Sequence, residues 1–331
     1  MGSVFAAISA VRMLIAVVKS KGGVLQVKKR DKRPSCLEDP SLGEPQIIYL
    51  EDVKLHYVVS GPEDKPLMLF VHGFPEFWYS WRHQIREFSS DYRVVAVDQR
   101  GYNESEAPDG MMNYSVRKLI KDLKQLIPAL GYDKCVLVGH DWGGAIVWMF
   151  AMKYPHLVDR LIVLNGPHPG MFEEFIRTSW KQFKMSWYIS FFQIPFIPEI
   201  SGWINDYKML EECFNGKKMG ICNGKVSPED VEAYKYAFSG KGGFYGPINY
   251  YRAALWDSRD PLPYCLIETP TLVIWGDKDV ALDPQLAHVP KKYVSNLTVE
   301  HVENASHWVQ VDQPDVVNKH IREFLKGSKQ E

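Results

Sequence analysis

Residues 134–149, KCVLVGHDWGGAIVWM, constrain this chain more than any other stretch. Four apolar residues, Cys135, Val136, Leu137 and Val138, make a short β-prone run that enters a turn. Small residues then open an apolar helix at Gly143, Gly144, Ala145, Ile146 and Val147. A residue on so tight a strand-to-helix bend is held out of the packing, over the end of a sheet, with N–H groups of the new helix beside it. That residue is Asp141.

Gly139-His140-Asp141-Trp142-Gly143 resembles the nucleophile elbow of the α/β-hydrolases, G-x-S-x-G, with aspartate where serine stands. The exchange changes the chemistry. A serine must lose its proton before it attacks, whereas a carboxylate is already ionised at neutral pH and can attack a saturated carbon unaided. Serine would leave an inert ether there, but aspartate leaves an ester that a histidine-activated water can hydrolyse. The plain alternative is a structural turn, since aspartate is common in turns.

With 331 residues and 46% hydrophobic content the chain can bury a large core, and a net charge of −1 gives no basic surplus for nucleic acid. No phosphate-binding loop is present. Cys36, Cys135, Cys213, Cys222 and Cys265 are odd in number and irregular in spacing, which implies reduced structural cysteines. Without a C-x-x-C pair no metal is expected.

Val4 to Val18 is almost wholly apolar but contains Arg12, and as a helix it would span only about 22 Å. A 3-4-3 spacing puts Ser9, Arg12, Ala16 and Lys19 on one stripe, so an interfacial helix competes with a short membrane anchor over residues 1–20. Lys19, Lys21, Lys28, Lys29, Arg30, Lys32 and Arg33 follow it and would hold the body on the cytosolic side. A secretory signal would carry its charges before the apolar run, and a helix packed on the protein's own surface is the remaining option. Residues 21–45, rich in charge and proline, are expected to form a linker.

Strands are expected at Ile47–Glu51, Lys54–Ser60, Leu67–His72, Arg93–Asp98, Lys134–Gly139, Leu161–Asn165, Thr271–Trp275 and Leu297–Val302. The later ones are short continuous apolar runs, as buried parallel strands are. Helical spacing recurs over Trp81–Phe88, Tyr114–Leu130, Ala145–Tyr154 and Asp315–Leu325. The expected fold is an α/β-hydrolase fold, an eight-stranded mostly parallel sheet flanked by helices. Its core would comprise residues 46–167 and 266–327, with 328–331 a tail. Between them residues 168–265 are aromatic and helical in pattern, without a convincing strand; we expect a helical cap, a lid over an apolar pocket.

In this fold the nucleophile is followed by an acid and then a histidine. Asp279 follows the strand at Thr271–Trp275, and His307 follows the last strand; Asp277 is the rival acid. Each role is set by geometry rather than adjacency.

His72-Gly73-Phe74-Pro75-Glu76, the Asp141 elbow, Gly276-Asp277-Lys278-Asp279 and Ala305-Ser306-His307-Trp308 together resemble the motifs of the α/β-hydrolase epoxide hydrolases, from about Ile47 onward. Asp98-Gln99-Arg100-Gly101-Tyr102-Asn103-Glu104-Ser105 is similar to a further family loop, with Asn103 replacing a glycine. Asparagine tolerates the left-handed backbone that position implies. The resemblance implies two cap tyrosines that hold the epoxide oxygen, on Tyr188 and Tyr251, with Tyr250 as competitor. A phenol is suited to the task because it donates a hydrogen bond and then its proton to a developing alkoxide. Backbone N–H groups of Phe74 and Trp142 would form an oxyanion hole, and Phe74–Pro75 would be a cis peptide. The implied reaction is hydrolysis of an epoxide to a vicinal diol, without cofactor or metal. Haloalkane dehalogenases share the Asp elbow but need halide-binding donors, and a catalytically dead binding protein would be expected to lack one of Asp141, Asp279 or His307. The apolar N-terminus makes the chain similar to the membrane-associated animal members of the family. That likeness implies lipid epoxide substrates and a place on the endoplasmic reticulum facing the cytosol.

Overall fold

The computed structural model describes residues 19–20, 22–257 and 262–327. The expected N-terminal helix over residues 4–18 lies outside them, as does the tail. Among the described residues no helix is long and apolar enough to cross a membrane.

Eight strands form one sheet in the order β1-β2-β4-β3-β5-β6-β7-β8. They are β1 (Glu44–Tyr49), β2 (Lys54–Ser60), β3 (Leu67–Val71), β4 (Arg93–Val97), β5 (Cys135–His140), β6 (Val158–Leu164), β7 (Thr271–Gly276) and β8 (Leu297–Val302). The pairs β1–β2 and β2–β4 are antiparallel and the rest parallel. Every residue of β3, β5 and β7 is buried, because helices cover both faces of a parallel sheet. The first strand begins three residues earlier than its expected start at Ile47. It is a mostly exposed edge strand, so no apolar run marks where it starts.

The helices beside the sheet are α1 (Arg82–Phe88), α2 (Val116–Ala129) and α3 (Trp142–Lys153). Between β6 and β7 lie α4 (Pro169–Thr178), α5 (Trp180–Met185), α6 (Trp187–Phe192), α7 (Ile197–Asn215), α8 (Pro228–Ser239) and α9 (Tyr245–Asp257). After β8 come α10 (Val309–Asp312) and α11 (Pro314–Gly327). Helix α7 is kinked, with non-helical backbone from Ile204 to Tyr207.

The segment expected to be a linker is docked on the protein instead. Leu37 and Leu42 are buried. The Arg30 guanidinium, itself nearly buried, donates to Asp206 at 2.8 Å and Glu232 at 2.7 Å and lies over the Tyr207 ring. Ion pairs from single residues fix this segment, and such contacts leave no periodic pattern to recognise.

Helix α3 starts at Trp142, immediately after the elbow, because its first turn packs against β3. A Cβ at Gly143 would lie 2.0 Å from the Val71 carbonyl oxygen, and one at Gly139 would lie 2.5 Å from the Gly143 oxygen. No side chain fits either gap. Gly143→Ala is therefore expected to destabilise the protein by about 3 kcal/mol or more, read as a lowered urea midpoint.

Candidate active site

All of the groups at issue lie beyond the carboxyl ends of parallel strands, where open α/β sheets hold their ligands. Asp141 follows β5 with φ 50° and ψ −117°, a sparsely populated backbone that close packing on either side maintains. A Cβ at Gly73 would stand 2.5 Å from the Asp141 Cβ, so glycine lets the β3 loop close on the elbow. Although Asp141 precedes a helix, its side chain does not cap it. Its Oδ1 accepts the Phe74 N–H at 2.8 Å, and its Oδ2 stands 3.5 Å from His307 Nε2. Trp142 heads α3, where first-turn N–H groups have no acceptor within the helix. The Phe74–Pro75 bond is cis.

His307 is buried, and its Nδ1 lies 2.8 Å from Asp279 Oδ2. The Asp279 carboxylate also accepts N–H groups of Ala281 and Leu282 at 2.8 and 2.9 Å and the Asn165 amide at 2.7 Å. Those four hydrogen bonds compensate its burial and fix its orientation. The rival Asp277 is exposed and faces Lys278. Burial by itself would push the His307 pKa down, but the charges and hydrogen bonds of Asp279 and Asp141 overcome it and hold the pKa up at about 10. In the resting site the imidazole is charged, between two carboxylates.

Facing Asp141 across a cavity of about 370 Å³ are Tyr188 and Tyr251, whose rings meet edge to face at 5.9 Å. Burial, and then the Asp141 charge, push both phenols well above the usual tyrosine value, so both remain protonated donors. The competitor Tyr250 points elsewhere. Its hydroxyl donates to the Arg100 carbonyl at 2.9 Å, and it does not line the cavity. The Trp142 indole stands perpendicular to Tyr251 at 5.0 Å.

Three supports were not singled out from the sequence. Buried Glu76 accepts from Gly73 N–H at 3.0 Å and the Gln310 amide at 2.8 Å and is hydrogen-bonded to His140 Nδ1 at 2.7 Å, while His140 Nε2 is hydrogen-bonded to the His307 carbonyl at 2.8 Å. This chain ties the Phe74 loop to the His307 loop. Asn165, at the end of β6 with φ 38°, holds Asp279. Asp312 accepts N–H groups of Cys222, Asn223 and Ser306, and the Trp308 indole donates to the Cys213 and Met219 carbonyls. Position within His72-Gly73-Phe74-Pro75-Glu76 is the signal for Glu76 and position within Ala305-Ser306-His307-Trp308 the signal for Trp308; Asp312 has none. Asn103 has φ 46° and hydrogen-bonds Asp98, so the loop accommodates asparagine there. All five cysteines are free, and among the described residues no group of three or more His, Cys, Asp or Glu is arranged to hold a metal.

Asp141 on a strand-to-helix elbow, the His307–Asp279 pair beside it and a helical insertion between β6 and β7 make the arrangement of an α/β-hydrolase, and a family profile described as the alpha/beta hydrolase fold matches residues 66–314. Epoxide hydrolase 1 of Caenorhabditis elegans is 48% identical over 92% of this chain and 75% of its own length. Human epoxide hydrolase 4 is 47% identical over 97% of this chain and 90% of its own length. The crystal structure of an epoxide hydrolase from Bacillus megaterium superposes with a TM-score of 0.78 at 37% identity, covering 85% of this chain and all of that one. The chain belongs to the epoxide hydrolases of the α/β-hydrolase fold.

Since Asp141 is one of the two anions that hold the His307 proton, its neutralisation must lower the imidazole pKa. In Asp141→Asn the titration midpoint of His307 is expected to fall below that of the wild type, measured from the imidazole resonances by NMR.

Proposed function

We propose that the chain opens epoxides to vicinal diols through a hydroxyalkyl ester on Asp141, with Tyr188 and Tyr251 as acids and the His307–Asp279 pair as base. The observation that carries the proposal is a carboxylate and two neutral phenols lining one cavity. Asp141 Oδ2 attacks a ring carbon as the carbon–oxygen bond breaks, and the departing oxygen takes a phenolic proton. Asp141 Oδ1, already on the Phe74 N–H, becomes the ester carbonyl oxygen. Alkylation removes the Asp141 charge, and with it part of what held the proton on His307. The imidazolium then passes its proton to the tyrosinate left by ring opening, which restores the phenol and leaves His307 neutral to take a proton from the hydrolytic water. As water adds, the charge on Oδ1 is stabilised by the N–H groups of Phe74 and Trp142, at about 3 kcal/mol per donor. Collapse of this intermediate releases the diol and leaves one water oxygen in Asp141.

We assign lipophilic epoxides, such as those of unsaturated fatty acids, as substrates. Trp142, Phe172, Ile176, Ile189 and Leu255 give the cavity an apolar wall, which favours such compounds. The apolar run over residues 4–18 and the basic residues after it support a membrane-associated enzyme, on the endoplasmic reticulum with its catalytic body in the cytosol. Haloalkane dehalogenation is disfavoured by the two phenols, which are suited to an alkoxide rather than to a halide.

A single turnover of a fatty-acid epoxide in H₂¹⁸O tests the ester. The label is expected in the peptide that contains Asp141, and unlabelled oxygen in the first diol. Absence of diol with chloride released from a chloroalkane would overturn the reading. Tyr251→Phe is expected to slow ester formation about a hundredfold in rapid-quench measurements, whereas Tyr250→Phe removes a buried structural hydrogen bond and lowers the thermal midpoint with little change in that rate.

A further inference from the structure

The outer surface of the cap carries large aromatic side chains that no core covers. Trp180 is 64% exposed, Phe183 41% and Trp187 52%. The rings of Trp180 and Phe183 stack at 5.3 Å with 10° between their planes. The Lys184 ammonium lies 5.2 Å from the centre of the Trp180 ring. Arg177 and Lys181 are exposed on the same stretch, Lys181 with Asp283 as its partner at 2.9 Å. From Phe175 to Pro198 the chain contains those three cations and no acidic residue.

This surface adjoins the substrate cavity. On the inner side of α5, Gln182 accepts the Asp283 N–H at 2.8 Å and donates to the Ala281 carbonyl at 3.2 Å, and Leu282 between them lines the cavity. Ile189, two residues after Trp187, also lines it, as does Leu255, which is 55% exposed and so marks a mouth.

We propose that α5 and the start of α6 form a docking surface for an anionic lipid bilayer, independent of residues 1–18. Tryptophan and phenylalanine are suited to the boundary between headgroups and acyl chains, and the amphipathic lysines keep their charges among anionic headgroups. No acidic residue lies within this stretch, and of the carboxylates beside it Asp283 is paired with Lys181 and Glu174 with Lys292, which limits the repulsion such a surface would exert. A lipophilic substrate would then pass from the bilayer to the cavity without crossing bulk water.

The full-length wild type and the Trp180→Ser/Phe183→Ser double variant are compared by cosedimentation with phosphatidylcholine vesicles, with and without phosphatidylserine. The wild type is expected to partition more strongly onto the phosphatidylserine vesicles, and the double variant about tenfold more weakly than the wild type on them. Its turnover of a water-soluble epoxide without vesicles is expected to be unchanged, which shows that the fold is intact. Equal partitioning of the two proteins would overturn the proposal and leave another segment as the membrane contact. Equal partitioning accompanied by loss of a wild-type dimer in sedimentation equilibrium would overturn it in favour of a second copy of the chain.

Discussion

The site depends on holding two carboxylates, Asp279 in the interior and Asp141 at the cavity wall, on either side of one imidazole. Asp279 is compensated by four hydrogen bonds and Asp141 by the Phe74 N–H, and between them stands the His307 imidazole with its pKa held at about 10. A buried charge without such partners would shift to its neutral form or open the structure to water. Both carboxylates therefore favour the charged form of the imidazole between them. Under the proposed chemistry the same balance changes in mid-cycle, because esterification removes one anion and the imidazole responds by releasing its proton more readily. The electrostatics that stabilise the resting site also time the base.

Backbone contacts carry this arrangement. The elbow puts Asp141 at an unfavourable φ and ψ, and glycines at positions 73, 139 and 143 let β3, β5 and α3 approach closely enough to hold it there. Glu76 and His140 then join the loop after β3 to the loop after β8 through buried hydrogen bonds. Asp141, the Phe74 N–H and His307 thus share one frame, although they are far apart in the chain.

The sequence made the buried strands and the Asp141 elbow legible, because a strand covered on both faces must be a continuous apolar run and a tight elbow requires glycines. Edge strand β1 is exposed and has no such mark, and its start was displaced. The choice between neighbours, Tyr250 or Tyr251 and Asp277 or Asp279, was beyond pattern alone. Adjacent residues of a helix face directions about 100° apart, so only the packing of α9 turns Tyr251 to the cavity and Tyr250 to the Arg100 carbonyl. Residues 22–43 were less legible still. Their hold on the cap is a few ion pairs to residues some two hundred positions away, and charge and proline alone suggested a free linker.

The hydrogen bonds of Trp308 and Asp312 to the chain between Cys213 and Asn223 have a consequence for traffic through the site. They tie the far edge of the helical insertion to the loop that carries His307, so under the proposed chemistry a shift of that edge would carry the base with it. A roof fastened in this way behaves as a vault rather than a jaw. Leu255, 55% exposed where the cavity reaches the surface, lies away from that fastening and gives the chamber an opening at its side.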